Sequence, residues 1–121
     1  MQRINNFQIS NNFNLKEFEC PCCNRVMISN LMIIRLERLR ILIGNKPIKI
    51  TSGYRCKDQN SIVGGTKNSY HKYGLACDIV VKGMDPEFLK EYAKRAEFLG
   101  IGTYPNFTHL DLRSEIYYWK K

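Results

Sequence analysis

The stretch Ser69-Tyr-His-Lys-Tyr-Gly-Leu-Ala-Cys-Asp78 restricts the fold more than any other part of this chain. It sets a histidine and an aspartate seven residues apart, with Gly74 between them. On one helix, residues i and i+7 lie about two turns apart and their side chains do not meet. His71 and Asp78 converge only if Gly74 turns the chain from a loop into a strand. The run that follows, Asp78-Ile-Val-Val-Lys82, is of the β-branched kind that reads as a buried strand. The other of the two histidines, His109, lies 31 residues past Asp78 (109 − 78), in Phe107-Thr-His-Leu-Asp-Leu-Arg113. This run alternates like a strand, which puts His109 and Asp111 on one face, with Phe107 and Arg113 beside them.

Two imidazoles and a carboxylate suit a catalytic Zn²⁺ site, which takes three protein ligands and keeps a fourth position open. Such a metal brings the pKa of bound water to about 7 and polarises a carbonyl. His71, Asp78 and His109 are therefore the expected ligands of one zinc ion. The spacing by itself does not select a metal site.

Three motifs in order carry a family resemblance. Ser69 to Asp78 resembles the S-x-H-x-x-G-x-A-x-D signature of the zinc D-Ala-D-Ala carboxypeptidases and related peptidoglycan peptidases, whose fold the Hedgehog signalling domain shares. Thr51-Ser-Gly-Tyr-Arg55 resembles their S-G-Y-R motif. Gly100-Ile-Gly-Thr-Tyr-Pro-Asn-Phe-Thr-His-Leu-Asp-Leu-Arg113 resembles the G-x-G-x-Y…F-x-H-x-D-x-R segment of small, often phage-encoded members. The likeness covers residues 13–113. It implies a zinc peptidase acting on peptidoglycan stem peptides or cross-bridges, as a carboxypeptidase or an endopeptidase. It also implies that Arg55 helps hold the substrate; Ser69 and Tyr104 are further candidates for the substrate side. An arginine just after a strand can fork onto a carboxylate, whereas Ser69, read locally, sets the His71 loop by a hydrogen bond, and Tyr104 also reads as a packed aromatic.

Asp111 is the first choice for the general base that takes a proton from metal-bound water. Its second reading is to orient a ligand histidine. Better-known relatives carry an acid three residues before the last histidine. This chain has Asn106 there, which cannot act as a base; the smaller relatives carry H-x-D instead.

The rest of the chain reads as scaffold. At 121 residues it is one domain, expected as an arm over residues 1–12 and a zinc peptidase domain over 13–121. Phe13 to Phe18 is a short helical turn with Asn14 and Glu17 as a capping box. Ser29 to Gly44 is the main helix, with Leu31, Ile34, Leu39 and Leu42 on its apolar face. Pro47 to Thr51 is a strand, and Gln59 to Ser69 a polar loop. Asp85 caps a second helix with Pro86 at its first position; Phe88, Leu89, Tyr92, Ala93 and Ala96 pack inward, and Gly100 ends it. The aromatic tail Ile116 to Lys121 closes the core or offers rings for stacking. The expected class is α+β: a small antiparallel sheet carrying the ligands, with two helices against it.

Five cysteines are present. Cys20 and Cys23 form a C-x-x-C pair, half of a structural zinc site, and no second pair exists. A four-cysteine site assembled in space, a disulfide to Cys56 and reduced buried thiols all remain open. Cys77 reads as a small buried residue.

No apolar run approaches the roughly 18–20 residues of a membrane span, and the N-terminus lacks the apolar stretch of a secretory signal. Cytoplasmic synthesis with release to the cell wall, as in phage lysis, is the expectation, and a monomer the expected state. A net charge of +8 favours anionic partners, nucleic acid or anionic wall polymers, but the basic residues are spread along the chain. Nucleic-acid binding through a thiolate zinc is the weakest of three classes. The second is a non-catalytic module of the same fold that keeps zinc and binds cell wall or protein.

Overall fold

Five strands form one mixed sheet in the order β1-β2-β4-β3-β5 in the computed structural model, which describes residues 4–121. The strands are β1 (Lys49–Ser52), β2 (Ala76–Val80), β3 (Gly100–Thr103), β4 (Thr108–Asp111) and β5 (Tyr117–Lys120). The helices are α1 (Asn30–Leu42), α2 (Lys57–Ile62) and α3 (Pro86–Arg95), with 3₁₀ turns at Leu15–Phe18 and Tyr70–Tyr73. The class is α+β, as expected, but the sheet is not wholly antiparallel. β5 runs parallel to β3, pairing Gly100 with Tyr117 and Gly102 with Trp119. Both edges of β4 are taken, by β2 and β3. A chain that reverses after β4 therefore runs antiparallel to β4, and its free neighbour is the outer edge of β3.

Strand alternation gives the sheet two different faces. Cys77 and Ile79 of β2, Leu110 of β4 and Ile101 of β3 join the core with Phe13, Phe18, Leu36, Leu39 and Phe98. The Cys77 thiol meets Met32 Sδ of α1 at 3.7 Å. Asp78, His109, Asp111 and Gly100 fall on the opposite face. α1 and α3 thus cover one side and leave the other to the site.

Local signals act as read at most boundaries. Asn14 and Glu17 form the capping box of the first 3₁₀ turn, and Ser29 caps α1 by accepting from Leu31 N–H. Asp85 caps α3, with Pro86 in its first turn. The buried face of α1 differs from the expected one: Met32, Ile33, Leu36 and Leu39 point inward, while Leu31 and Ile34 are exposed. Apolar residues surround this helix, so periodicity does not single out a face. Phe88 of α3 is likewise exposed. α3 ends at Arg95, before Gly100, with Glu97 taking the left-handed conformation at φ 72°.

Two elements are additional to the expectation. α2 occupies the start of the region read as a polar loop, and its buried Asn60 donates to Thr66 O at 2.8 Å. β5 gives the aromatic tail a backbone role. In the N-terminal segment, residues 1–3 lie outside the described residues. The rest is a loop fastened by side chains: Asn5 donates to Glu19 Oε2 (2.9 Å) and Asn24 O (2.6 Å), and Asn12 donates to both oxygens of Glu37.

Candidate metal centre

Sheet register brings Asp78 and His109 together. They are direct cross-strand partners of β2 and β4, so their side chains leave the sheet side by side. His71 arrives from the 3₁₀ turn that ends at Gly74. That glycine sits at φ 69°, and a Cβ there would strike the backbone of Met27. Gly74 is the turn between loop and strand that convergence requires. Ser69 caps the same 3₁₀ turn, accepting from His71 N–H at 3.2 Å and from Arg55 Nη2 at 3.3 Å.

The three side chains meet at one point. His71 Nε2 is 3.2 Å and His109 Nδ1 is 3.1 Å from the same oxygen, Asp78 Oδ1. The second nitrogen of each ring is committed elsewhere. His71 Nδ1 lies 2.8 Å from Gly53 O, and His109 Nε2 lies 2.8 Å from Asp111 Oδ2. A carbonyl and a carboxylate only accept, so each ring places its one neutral-form proton there. The two remaining nitrogen lone pairs then face an anionic oxygen. A cation at the centre resolves that conflict, and the donor set, two imidazoles and a carboxylate, is one that zinc takes. His71 is buried, whereas Asp78 and His109 each keep 13% of the side chain exposed. The centre is therefore reachable from outside.

Charge is arranged to suit. Burial alone would raise the pKa of Asp78, but when the ring nitrogens that face it are protonated, hydrogen bonds from His109 and His71 bring it down to about 2. Burial likewise opposes ionisation of Asp111, yet Arg113 and then His109 hold it well below the ordinary carboxylate range. Arg113 binds it in a fork, Nε to Oδ1 at 2.8 Å and Nη2 to Oδ2 at 2.6 Å. Burial also works against charge on His109, but the two carboxylates raise its pKa on balance.

Asp111 has no accessible surface. It contacts the ring edge of His109 remote from Asp78, and both of its oxygens are occupied. Its neighbour across the strand is Gly100, where a Cβ would fall on the Asp111 carboxylate. Gly100→Ala should therefore lower stability by about 1–3 kcal/mol and weaken metal binding by displacing the carboxylate behind His109. Denaturant midpoints and a chelator-competition titration check this; unchanged values in both would count against the packing described.

A cleft of about 450 Å³ opens at Asp78, lined also by Gly53, Arg55, Thr51, Glu17 and Phe107. Arg55 is half-buried there, and its Nε is buried without a hydrogen-bond partner. Burial lowers its pKa, while nearby Asp78 works the other way. Tyr104 does not line this cleft. It stacks on Phe107 with ring centroids 4.4 Å apart, and its hydroxyl accepts from Trp119 Nε1 at 3.0 Å. Asn106 is exposed in the β3–β4 turn.

A family model described as Peptidase M15 matches residues 10–111. The chain belongs to the peptidase M15 family. Among curated proteins, this M15 chain is 36% identical over 85 residues to the peptidoglycan L,D-endopeptidase MepK of Escherichia coli (strain K12), covering 64% of this chain and 47% of that protein. It is 44% identical over 45 residues to the zinc D-Ala-D-Ala carboxypeptidase of Streptomyces albus G, covering 37% of this chain and 18% of that one. The chain spans about half the length of the MepK relatives it matches, and less of the carboxypeptidase.

Two contributors to the M15 site lay outside the residue-level reading. Gly53 acts through its carbonyl, which no side-chain pattern reveals. Trp119 lies 5.1 Å from the His109 ring and also over Arg113, whose guanidinium sits 5.0 Å from both Tyr70 and Tyr117. The aromatic tail was the available signal, but only the β5 pairing directs it to this place.

Proposed function

We propose that this chain is a zinc-dependent peptidase that hydrolyses peptidoglycan peptides at bonds flanked by D-amino acids, as a carboxypeptidase or an endopeptidase at the cell wall. The observation that carries this reading is the convergence of His71 Nε2, Asp78 Oδ1 and His109 Nδ1 beside an open cleft, with the other ring nitrogens held by Gly53 and Asp111. Membership of the M15 family and the names of the two relatives support it.

In this reading His71, Asp78 and His109 hold one Zn²⁺, which supplies an activated water and a polarised substrate carbonyl when bound. The protein fixes the rest. The Gly53 carbonyl and Asp111 set the tautomers and ring orientations of the two histidines. Arg55, with an unpaired buried Nε on the cleft wall, takes a substrate carboxylate or carbonyl. Ser69 holds Arg55 and the His71 turn together. Tyr104 braces the cleft edge through Phe107 and Trp119. Asp111 is assigned to positioning, since its oxygens are engaged by Arg113 and His109. The substrate partner is peptidoglycan. Among the described residues no helix is long and apolar enough to cross a membrane.

Purified peptidoglycan and defined stem peptides, with release of amino groups as the readout, test the reading. Removal of metal by a chelator should abolish release, and added zinc should restore it. The same treatment should lower the thermal midpoint. A ligand at about 1,000 times its Kd stabilises the folded state by roughly 4 kcal/mol, which for a domain of this size is a shift on the order of 10 °C. Bound zinc with no hydrolysis of any wall type would instead favour the non-catalytic module. The absence of a free carboxylate on Asp111, together with Asn106 in the turn, is what keeps that second reading in view.

A further inference from the structure

Four of the five cysteines gather at a second point, separate from the histidines. Cys20, Cys22 and Cys23 come from the turn after the first 3₁₀ turn, and Cys56 comes from the residue that caps α2. Their Sγ atoms all lie within 4.8 Å of one another. Cys20 and Cys22 are each close to Cys56, at 3.6 and 3.3 Å, and 3.6 Å from each other. A disulfide joins two sulfurs at about 2.05 Å, leaving no reason for the other two to converge. Four thiolates around zinc at about 2.3 Å form a tetrahedron with edges of about 3.8 Å. The observed sulfur separations stand next to the second value.

The backbone is shaped for this. Cys20 N–H donates to Arg25 O at 2.7 Å, and Asn24 N–H donates back to Cys20 O at 2.8 Å. Asn24 takes the left-handed conformation at φ 61°, which folds Cys20-Pro-Cys-Cys into a tight knuckle with its sulfurs on one side. Two donors already point at sulfur: Gln59 N–H at Cys56 Sγ and Arg25 Nε at Cys23 Sγ, both at 3.4 Å. Four thiolates around a divalent ion leave an excess of negative charge, and the Arg25 guanidinium lies where it offsets part of it.

We infer that Cys20, Cys22, Cys23 and Cys56 hold a second, structural Zn²⁺ that clamps the rim of the cleft. The two segments it would join both serve the first centre. Pro21 and Glu19 line the cleft from one side, and Gly53 and Arg55 from the other. Arg55 N–H donates to His71 O, and Tyr54 N–H to Phe18 O. An ion tied to Cys56 therefore fixes the short segment that carries both the Gly53 carbonyl behind His71 and the Arg55 side chain. This inference does not depend on the peptidase reading.

The test is cobalt titration of the metal-free 121-residue chain, with zinc content measured in parallel. Cobalt bound by thiolates gives an intense charge-transfer absorption in the near ultraviolet; cobalt bound by imidazole and carboxylate does not. The wild-type chain should bind two ions, one of them with the charge-transfer band. His109→Ala should lose one ion and keep the band. Cys56→Ser, which leaves three of the four thiolates, should weaken the band and keep the other ion. If the cysteine variant does not fold, the wild-type and His109→Ala spectra still decide. Metal binding without any thiolate band overturns the inference, as does a Cys20–Cys56 or Cys22–Cys56 disulfide mapped in the reduced-purified, metal-loaded protein. A retained band with no peptidoglycan hydrolysis would remove only the proposed function, and hydrolysis without the band only this second site.

Discussion

His109→Ala should reduce hydrolysis of peptidoglycan peptides by about 10³-fold or more and remove one metal ion per chain. The size follows from what the ligand secures. A bound metal is worth several kcal/mol of transition-state charge stabilisation, and each 1.36 kcal/mol is about tenfold in rate. The change also disturbs both carboxylates that His109 bridges. Asp78 loses its neighbouring imidazole, and Asp111 is left with Arg113 alone. The fold itself should persist, because His109 belongs to the site face of β4 and not to the core with Leu110. Metal analysis, far-ultraviolet circular dichroism and hydrolysis rates on one preparation check the three parts together. A variant that keeps its full metal complement would remove His109 from the ligand set.

How far the sequence revealed this arrangement depended on the kind of interaction. The seven-residue spacing of His71 and Asp78 demanded a turn at Gly74, and the alternation of Phe107 to Arg113 placed His109 and Asp111 on one face; both depend on short-range backbone geometry. The pairing of Asp78 with His109 depends on strand register, which the alternating pattern constrains because a one-residue slip would turn Ile79 and Leu110 out of the core. The buried face of α1 was not legible, since Leu31, Met32, Ile33 and Ile34 are all apolar and only the tertiary partners choose among them. Cys56 stands 33 residues after Cys23 and forms no motif with it; the knuckle at Asn24 and the cap of α2 bring them together. The Gly53 carbonyl and the parallel placement of β5 are likewise products of chain topology. Glycines gave a partial signal: Gly100 and Asp111 sit opposite each other across β3 and β4, and only a residue without Cβ leaves room for that carboxylate.

Asp111→Asn separates the two roles the sequence allowed for that residue. If Asp111 positions His109, the variant should bind metal about 10–100-fold more weakly, and saturating zinc should restore most of its kcat. If Asp111 were the general base, metal affinity would hold and kcat would fall by about 10²–10⁴-fold at any zinc concentration. The geometry favours the first outcome. One oxygen lies 2.8 Å from His109 Nε2, on the ring edge away from Asp78, and Arg113 forks onto the pair from the other side. The residue has no exposed surface through which to meet a water in the cleft. Asparagine removes the negative charge that Arg113 and His109 share, and it turns one acceptor into a donor facing either the guanidinium or the imidazole N–H. The variant should therefore also lose stability. The folded-state pKa of Asp111 is depressed, so its contribution is present above the unfolded value of about 3.9 and is lost as pH falls toward the folded value. Wild type and variant should differ in stability at neutral pH and converge in acid. A kcat that stays low at saturating zinc, with metal affinity unchanged, would return Asp111 to the role of base and require that its carboxylate leave Arg113 during the reaction.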